Sequence, residues 1–322
     1  MRKTSMTLLS ALTLLATVPG AWAQQTPFPP TVRLIVPFAP GAGTDVMARA
    51  VAAQLGARLG STVIIDNRVG ASGLIGSSAV AKGPKDGSTL LFTSSSVITT
   101  AATSRNLPYD LIADLVPLAI VADGPMLVGV SVKSGIKTPA DLIIAARTKP
   151  GGLSAGSGGV GSVGHLAAEL LGDAAKVHML HIPYKGAAPA LVDLAAGTLD
   201  VLIASYSTLA PQVKSGRVLP IAVTYEQPSS AYPGIPIMAA AAPGYSVGIW
   251  YGVFGPSGMQ PDMVQRLNRE INDIAKTPEL RQLTQADGAM PVSAGPEELS
   301  RRVRDDYAMW KRVAAQKNIV LD

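Results

Sequence analysis

The 322-residue chain contains no cysteine, which excludes disulfide staples and thiolate chemistry. It has only three histidines, His165, His178 and His181, and none falls in an H-E-x-x-H or other recognised metal-ligand spacing. Charged residues make up 15 % of the chain and aromatics 5 %. The basic residues are scattered, with a short run only at Arg301, Arg302 and Arg304, so no nucleic-acid partner is expected. Beyond the first residues, no segment approaches the ~20 consecutive apolar positions of a membrane helix.

The beginning reads as a secretory leader. Arg2 and Lys3 give a basic start, Met6 to Val18 an apolar run too short to span a bilayer, and Ala21-Trp22-Ala23 an A-x-A cleavage pattern. The expected signal peptide is therefore residues 1–23, cleaved after Ala23, and the mature chain is expected to be soluble and periplasmic. Its length exceeds what one core usually holds together, so two domains are expected.

The richest stretch is Val32 to Val46, VRLIVPFAPGAGTDV. Five residues of strand character stop at Pro37 and pass through Gly41, Ala42 and Gly43 into an apolar-periodic helix. A Gly-rich turn at a helix N-terminus aims free N–H groups at one point and favours negative charge there. The same glycines also suit a plain tight βα turn, so this stretch alone leaves both readings open.

Downstream, apolar spacing predicts a helix from Asp45 to Leu59 stopped by Gly60, a strand at Val63 to Ile65, a second Gly-rich turn over 66–73, a helix from Leu74 to about Lys82, and a strand at Thr89 to Phe92 ending on Thr93, Ser94, Ser95 and Ser96. This alternation is that of a parallel α/β sheet, whose ligands sit beyond the carboxyl ends of the strands. Extended segments at Leu118 to Val121 and Met126 to Val132, broken at Ala122 to Pro125, suggest a crossing into a second α/β unit. There Thr138 and Pro139 open a helix, and Gly156 to Ser162 repeats the strand, Gly-rich turn, helix pattern. Strands at Met179 to Pro183, Leu199 to Ala204 and Val218 to Val223 follow, with helices between them. Pro228 to Tyr245 reads as loop, Ile249 to Phe254 as a strand crossing back, and three helices close the chain. The last, Pro296 to Lys317, carries Leu299, Val303, Tyr307, Trp310 and Val313 as a core-packing stripe.

Two motif matches do not hold up. Gly156, Gly158 and Gly161 fit G-x-G-x-x-G, but no acidic residue ends the next strand, so no dinucleotide and no other cofactor is expected. Gly152-Leu153-Ser154-Ala155-Gly156 fits a hydrolase nucleophile elbow with Asp173 and His178 or His181 behind it, yet no substantial strand precedes Ser154. A secreted serine hydrolase thus stands as a remote alternative. The two neutral, hydroxyl- and Gly-rich loops remain. Facing each other across a cleft, they can hold a carboxylate by backbone N–H groups and the hydroxyls of Thr44, Ser157 and Ser162, without a base. Asp45 either stabilises the first helical turn or receives a ligand ammonium or hydroxyl. His165, one turn into its helix, suits capping or positioning.

Five stretches in order, VRLIVPFAPGAGTDVMAR, VIIDNRVGASGLIGSSAVAKGPKDGSTLLF, SAGSGGVGSVGHLAAELL, HIPYKGAAPALVDLAAGTLDVL and WYGVFGPSGMQPDMVQRLNREI, resemble the periplasmic receptors of tripartite tricarboxylate transporters, the Bug receptors. The resemblance implies an α/β, two-domain periplasmic-binding-protein fold of type II, each domain a mostly parallel sheet flanked by helices, joined by two crossover strands. The expected division is 27–123 with 255–322 against 124–254. It implies no catalysis, a small organic acid as ligand (a di- or tricarboxylate, an aromatic carboxylate or an amino acid), delivery to the two membrane subunits of a permease, and a monomer. A receptor presenting its closed form to a sensor kinase is the alternative. Ligand contacts are expected from Phe38, Ala42, Gly43, Thr44 and Asp45, from Thr93, Ser94 and Ser95, and from Ser157, Gly158, Gly161 and Ser162 with His165; Tyr184 and Asp200 match further positions near the cleft. The pattern departs at Ala42, where a third glycine is usual, and at Val69, where proline is usual. The first change is expected to narrow the pocket or alter φ at one donor.

Overall fold

Strand β1 (Thr31–Val36) has Val32, Leu34, Ile35 and Val36 without exposed surface, as a central strand covered on both faces by helices must. The structure is a computed structural model that describes residues 27–320, and the expected leader with its cleavage point lies outside them. After the turn comes α1 (Gly43–Leu59), stopped by Gly60 in the left-handed conformation at φ 69°. Next are β2 (Thr62–Asn67), a 3-10 turn at Ala71–Gly73, α2 (Leu74–Ala81) and β3 (Thr89–Ser94); β2 and β3 lie parallel to β1 on its two sides. The hydroxyl run after β3 does not stay a loop. Ser96–Thr103 is a helix, α3, although Val97, Ile98, Thr99 and Thr100 are poor helix formers. Burial of nearly every side chain overrides propensity there.

The expected break at Ala122 to Pro125 is also absent. β4 (Leu115–Pro125) stays paired along that stretch and runs, with only Met126 between, into β5 (Leu127–Ser131) of a second sheet. Around it lie α4 (Pro139–Thr148), β6 (Leu153–Ser157), α5 (Val163–Ala175), β7 (Met179–Pro183), α6 (Ala187–Ala196), β8 (Val201–Ala204), α7 (Tyr206–Lys214) and β9 (Val218–Val223). Thr138 and Asp141 cap α4 reciprocally, as the Thr-Pro opening implies. β10 (Gly248–Pro256) returns to the first sheet, followed by α8 (Pro261–Ala275), α9 (Pro278–Ala286), β11 (Met290–Pro291) and α10 (Pro296–Lys317).

Both sheets are mixed, ordered β11-β4-β10-β3-β1-β2 and β7-β6-β8-β5-β9. The chain passes between them twice, and the crossings lie side by side: Gly248 and Ile249 pair antiparallel with Pro125 and Gly124. The Thr224 hydroxyl staples this place, accepting from the Met126 N–H at 2.8 Å and donating to the Val247 carbonyl at 2.7 Å. α10 grips both crossing strands. Arg302 pairs with Asp123, which also accepts from the Tyr225 hydroxyl at 3.1 Å, and the Trp250 indole N–H donates to Asp306 at 3.2 Å. Leu299, Val303 and Trp310 are buried beneath, as the apolar stripe predicts.

Candidate functional site

Five helices begin at one cavity between the sheets. α1, α3, α5, α6 and α7 follow the carboxyl ends of β1, β3, β6, β7 and β8, and each brings first-turn or capping residues to its wall. Phe38, Ala42, Gly43 and Thr44 come from the first turn, Ser94 and Ser96 from the second, Gly158, Ser162 and Val163 from the glycine loop. Ala187 opens α6, and Ser205 and Thr208 open α7. Met126, Ile203, Ile249 and Tyr251 close the remaining side. No charged side chain lines the cavity among the described residues. Its volume of about 50 Å³ admits roughly four water-sized groups.

At four of the five helix ends the N-cap residue itself, Ala42, Ser95, Gly186 or Ser205, makes no capping bond. Only α5 is capped by its own N-cap residue, the Ser162 hydroxyl accepting from the His165 N–H, whereas first-turn amides of α1, α3 and α7 meet Thr208, Ser94 and Asp287. Each end carries roughly half a positive charge, so the cavity is electropositive without a base. The Tyr251 hydroxyl is buried at the wall and makes no hydrogen bond. It converges with the hydroxyls of Ser205 and Ser207 on Gly43. A methyl group on Gly43 would sit 2.6 Å from Ser207 Oγ and 2.7 Å from the Tyr251 oxygen, so only glycine lets the elements approach this closely.

Hydrogen bonds tie the two sides together. The Gly43 N–H donates to Thr208 Oγ1 at 2.8 Å, and the Val163 N–H to Ser96 Oγ at 3.2 Å. Asp287, at the end of α9, accepts from the Ser207 N–H at 2.5 Å and from its hydroxyl at 2.9 Å, capping α7 from the opposite sheet. Burial pushes the Asp287 carboxyl up to about 6 despite these bonds.

The model of the tripartite tricarboxylate transporter family receptor matches residues 47–319. The chain belongs to this family. Protein BugT of Bordetella pertussis is 34 % identical over 88 % of this chain and 88 % of its own length. Among solved structures, R. palustris Rpa4515 with adipate is similar at a TM-score of 0.86 and 34 % identity, covering 90 % of this chain and 98 % of that one. MatC from Rhodopseudomonas palustris with bound malate reaches 0.82 at 27 % identity, covering 88 % and 98 %. The fold is that of periplasmic binding proteins, and the protein is a solute-binding receptor rather than an enzyme.

Seven of the residues expected at the receptor's site line this cavity: Phe38, Ala42, Gly43, Thr44, Ser94, Gly158 and Ser162. Ala42 sits at φ −84°, where any residue is comfortable, so the change from glycine adds a methyl without straining the turn. Asp45 is not in the cavity wall. Its carboxylate accepts from the Gly41 N–H at 3.0 Å, from Arg49 at 2.8 and 3.1 Å, and from Asn67 at 2.9 Å. Burial pushes this carboxyl up, but the bonds from Arg49, Asn67 and Gly41 outweigh it and hold the group below its ordinary value. Of the two readings of Asp45, the structure supports the one in which it fixes the turn.

Thr93 and Ser95 are buried away from the cavity wall. Ser157 and Gly161 belong to the glycine loop but not to the cavity wall, and His165 lies behind the loop, bonded to the Gly161 N–H. Tyr184 lines a separate groove at the rim with Pro37 and Gly158, and its hydroxyl donates to Asp193 at 2.6 Å. Asp200 is remote from the cavity: it takes Lys149 at 2.7 Å and the Ser154 N–H and hydroxyl at 2.8 and 2.7 Å, tying the start of β8 to β6. The hydrolase alternative falls with it. Ser154 lies inside β6 with its hydroxyl bound to a salt-bridged aspartate, not on an exposed elbow.

Sequence reasoning missed Ser96, Ser205, Thr208 and Tyr251. The α7 socket has no glycine, so glycine counting could not find it. The available signal was the buried strand ending on Ser205-Tyr206-Ser207-Thr208 immediately before a helix.

Proposed function

We propose that this receptor captures a small organic carboxylate in the cavity between its two sheets and delivers it, as an exported periplasmic monomer, to the membrane subunits of a tripartite tricarboxylate-type permease. One domain comprises 27–123 with 255–322, the other 124–254. The supporting observation is a cavity onto which five helix N-termini open, four of them without a cap from their own N-cap residue, with no charged side chain in its wall. First-turn amides and the hydroxyls of Thr44, Ser94, Ser162 and Tyr251 are the proposed carboxylate donors, while Met126, Ile203 and Ile249 pack against the carbon chain.

The adipate and malate bound by the two R. palustris relatives support an acid of this kind. An amino acid fits less well. Asp45 has both oxygens engaged, and no acidic side chain lines the cavity to meet an ammonium. The test is a thermal-shift panel of mono-, di- and tricarboxylates, aromatic acids and amino acids on protein refolded from denaturant. A true ligand at a hundred times its Kd adds about 2.7 kcal/mol, which raises Tm by roughly 5 °C. A hit confined to amino acids, or a silent panel, overturns the reading.

A further inference from the structure

All three histidines of the chain gather behind the glycine loop, at α5 and β7. The His165 and His181 rings stack with centroids 3.7 Å apart and planes 15° from parallel. Each ring holds a different part of the loop. His165 Nδ1 accepts the Gly161 N–H at 3.0 Å, which puts its proton on Nε2, facing Glu169 Oε1 at 3.5 Å. His181 Nε2 lies 2.6 Å from Ser157 Oγ, which in turn accepts the Gly159 N–H at 3.1 Å and reaches the Gly159 carbonyl at 3.0 Å. The assignment that satisfies every atom has His181 Nε2–H donating to Ser157, whose hydroxyl donates to Gly159.

Resting on the assignment of the cavity as the ligand site, we propose that His165 and His181 are positioning residues: a stacked, neutral imidazole pair that sets the glycine loop against the ligand and releases it when either ring is protonated. Neither imidazole lines the cavity, yet Gly158 and Ser162, which do, are chain neighbours of Ser157, Gly159 and Gly161, the residues these bonds hold. A proton on His165 Nδ1 would confront the Gly161 N–H donor with another donor. A second proton on His181 would go to Nδ1, leave its Nε2–H on Ser157 and put a positive charge against the stacked His165 ring, and charges on both rings would repel across the 3.7 Å stack. The groups facing the pair are Glu169 on α5, beside His165, and Asp173, Lys176 and His178, which line a cavity of about 350 Å³ on the outer side of His181. That cavity gives protons a route to the pair. Burial, and then the neighbouring His165, push the His181 imidazole down to about 4, with Glu169 opposing.

The test combines 15N-labelled, ligand-free protein with titration of adipate by calorimetry. In wild type, the Gly159 and Gly161 amide resonances are expected to move as pH falls towards 4, and the adipate Kd, corrected for protonation of adipate's own carboxylates, to rise with them. His165→Asn, whose Oδ1 reproduces the Nδ1 acceptor, and His181→Gln, whose amide reproduces the Nε2–H, should keep neutral-pH affinity within about threefold. Combined, they should abolish the acid response of the Gly159 and Gly161 amides. His165→Leu should shift Gly161 and weaken adipate about tenfold or more. Unmoved Gly161 and Gly159 amides in His165→Leu, or an acid response that persists in the double variant, overturns the proposal. If wild type does not bind adipate, the ligand assignment is in question, while the amide resonances still decide whether the imidazoles hold the loop.

Discussion

The two glycine loops follow the same sequence pattern, strand, small residues, helix N-terminus, yet they are braced by opposite chemistry. The first, 38–45, is held by a permanent charge: Asp45, bonded to Arg49, Asn67 and the Gly41 N–H. The second, 157–162, is held by imidazoles through Gly161 and Ser157. A salt-bridged aspartate is indifferent to pH across the neutral and mildly acid range, whereas a buried neutral imidazole is not. The difference teaches that similar anion sockets can be made acid-resistant or acid-labile by residues that never touch the ligand.

Four variants probe this contrast. The largest effect is expected where the loops meet their partners across the cleft. Gly43→Val places methyl groups against Ser207 and Tyr251, and should weaken ligand by about 2 to 3 kcal/mol, on the order of a hundredfold, with a smaller effect on the Tm of the free protein. Equal calorimetric affinities for variant and wild type would show that the approach at Gly43 is not needed for binding.

Next comes Asp45→Ala, which removes four hydrogen bonds to a buried carboxylate and leaves the Gly41 N–H without its acceptor; about 2 kcal/mol of stability should go, read from chemical denaturation. Asp45 sits below its ordinary 3.8 in the fold. Its stabilisation is thus present above pH 3.8 and is lost as pH falls through the depressed folded value.

His181 titrates earlier. Its imidazole is lowered from 6.5 to about 4, so its contribution is complete above pH 6.5 and drains away as pH falls from there through 4. Tm measured across that window should decline in wild type and decline less in His181→Gln. Parallel curves for the two proteins would remove the contrast between the loops.

The smallest effect concerns Asp287, whose carboxyl is raised to about 6. Here the sign reverses: stability from this group is present below pH 3.8 and is lost as pH rises through 6. Asp287→Asn keeps a carbonyl for the Ser207 N–H and should leave Tm at neutral pH unchanged or slightly higher. A clear loss at neutral pH would mean that the charged form is the one the fold prefers.

Much of this arrangement was legible in the sequence. β7, α6, β9 and α10 fall where apolar spacing and Gly or Pro punctuation place them, because such elements carry strong local signals. α3 was hidden because its β-branched residues favour extended structure until the core encloses them. The continuity of β4 was hidden because Asp123, Gly124 and Pro125 read as a turn, and only pairing with β10 and β11 keeps them extended. At the site, Phe38, Ala42, Gly43, Thr44, Ser94, Gly158 and Ser162 could be read from the turns that carry them. Ser205 and Thr208 carried only the signal of a buried strand running into a helix, and Tyr251 none, since their place depends on which strands are neighbours. For the same reason Asp200 and His165 look like cleft residues in one dimension and lie behind it in three.

The Ser207 contact with Asp287 carries one more implication. The α7 end is already met by a carboxylate, one the protein owns. Any acid that enters does so beside a resident that occupies the same kind of seat and reaches it from the opposite sheet. Binding strength is therefore a comparison between guest and tenant, because drawing the two sheets together must dehydrate the tenant as well. At neutral pH the buried charge of the tenant works against the contact it makes across the sheets, which is why its carboxyl is raised to about 6.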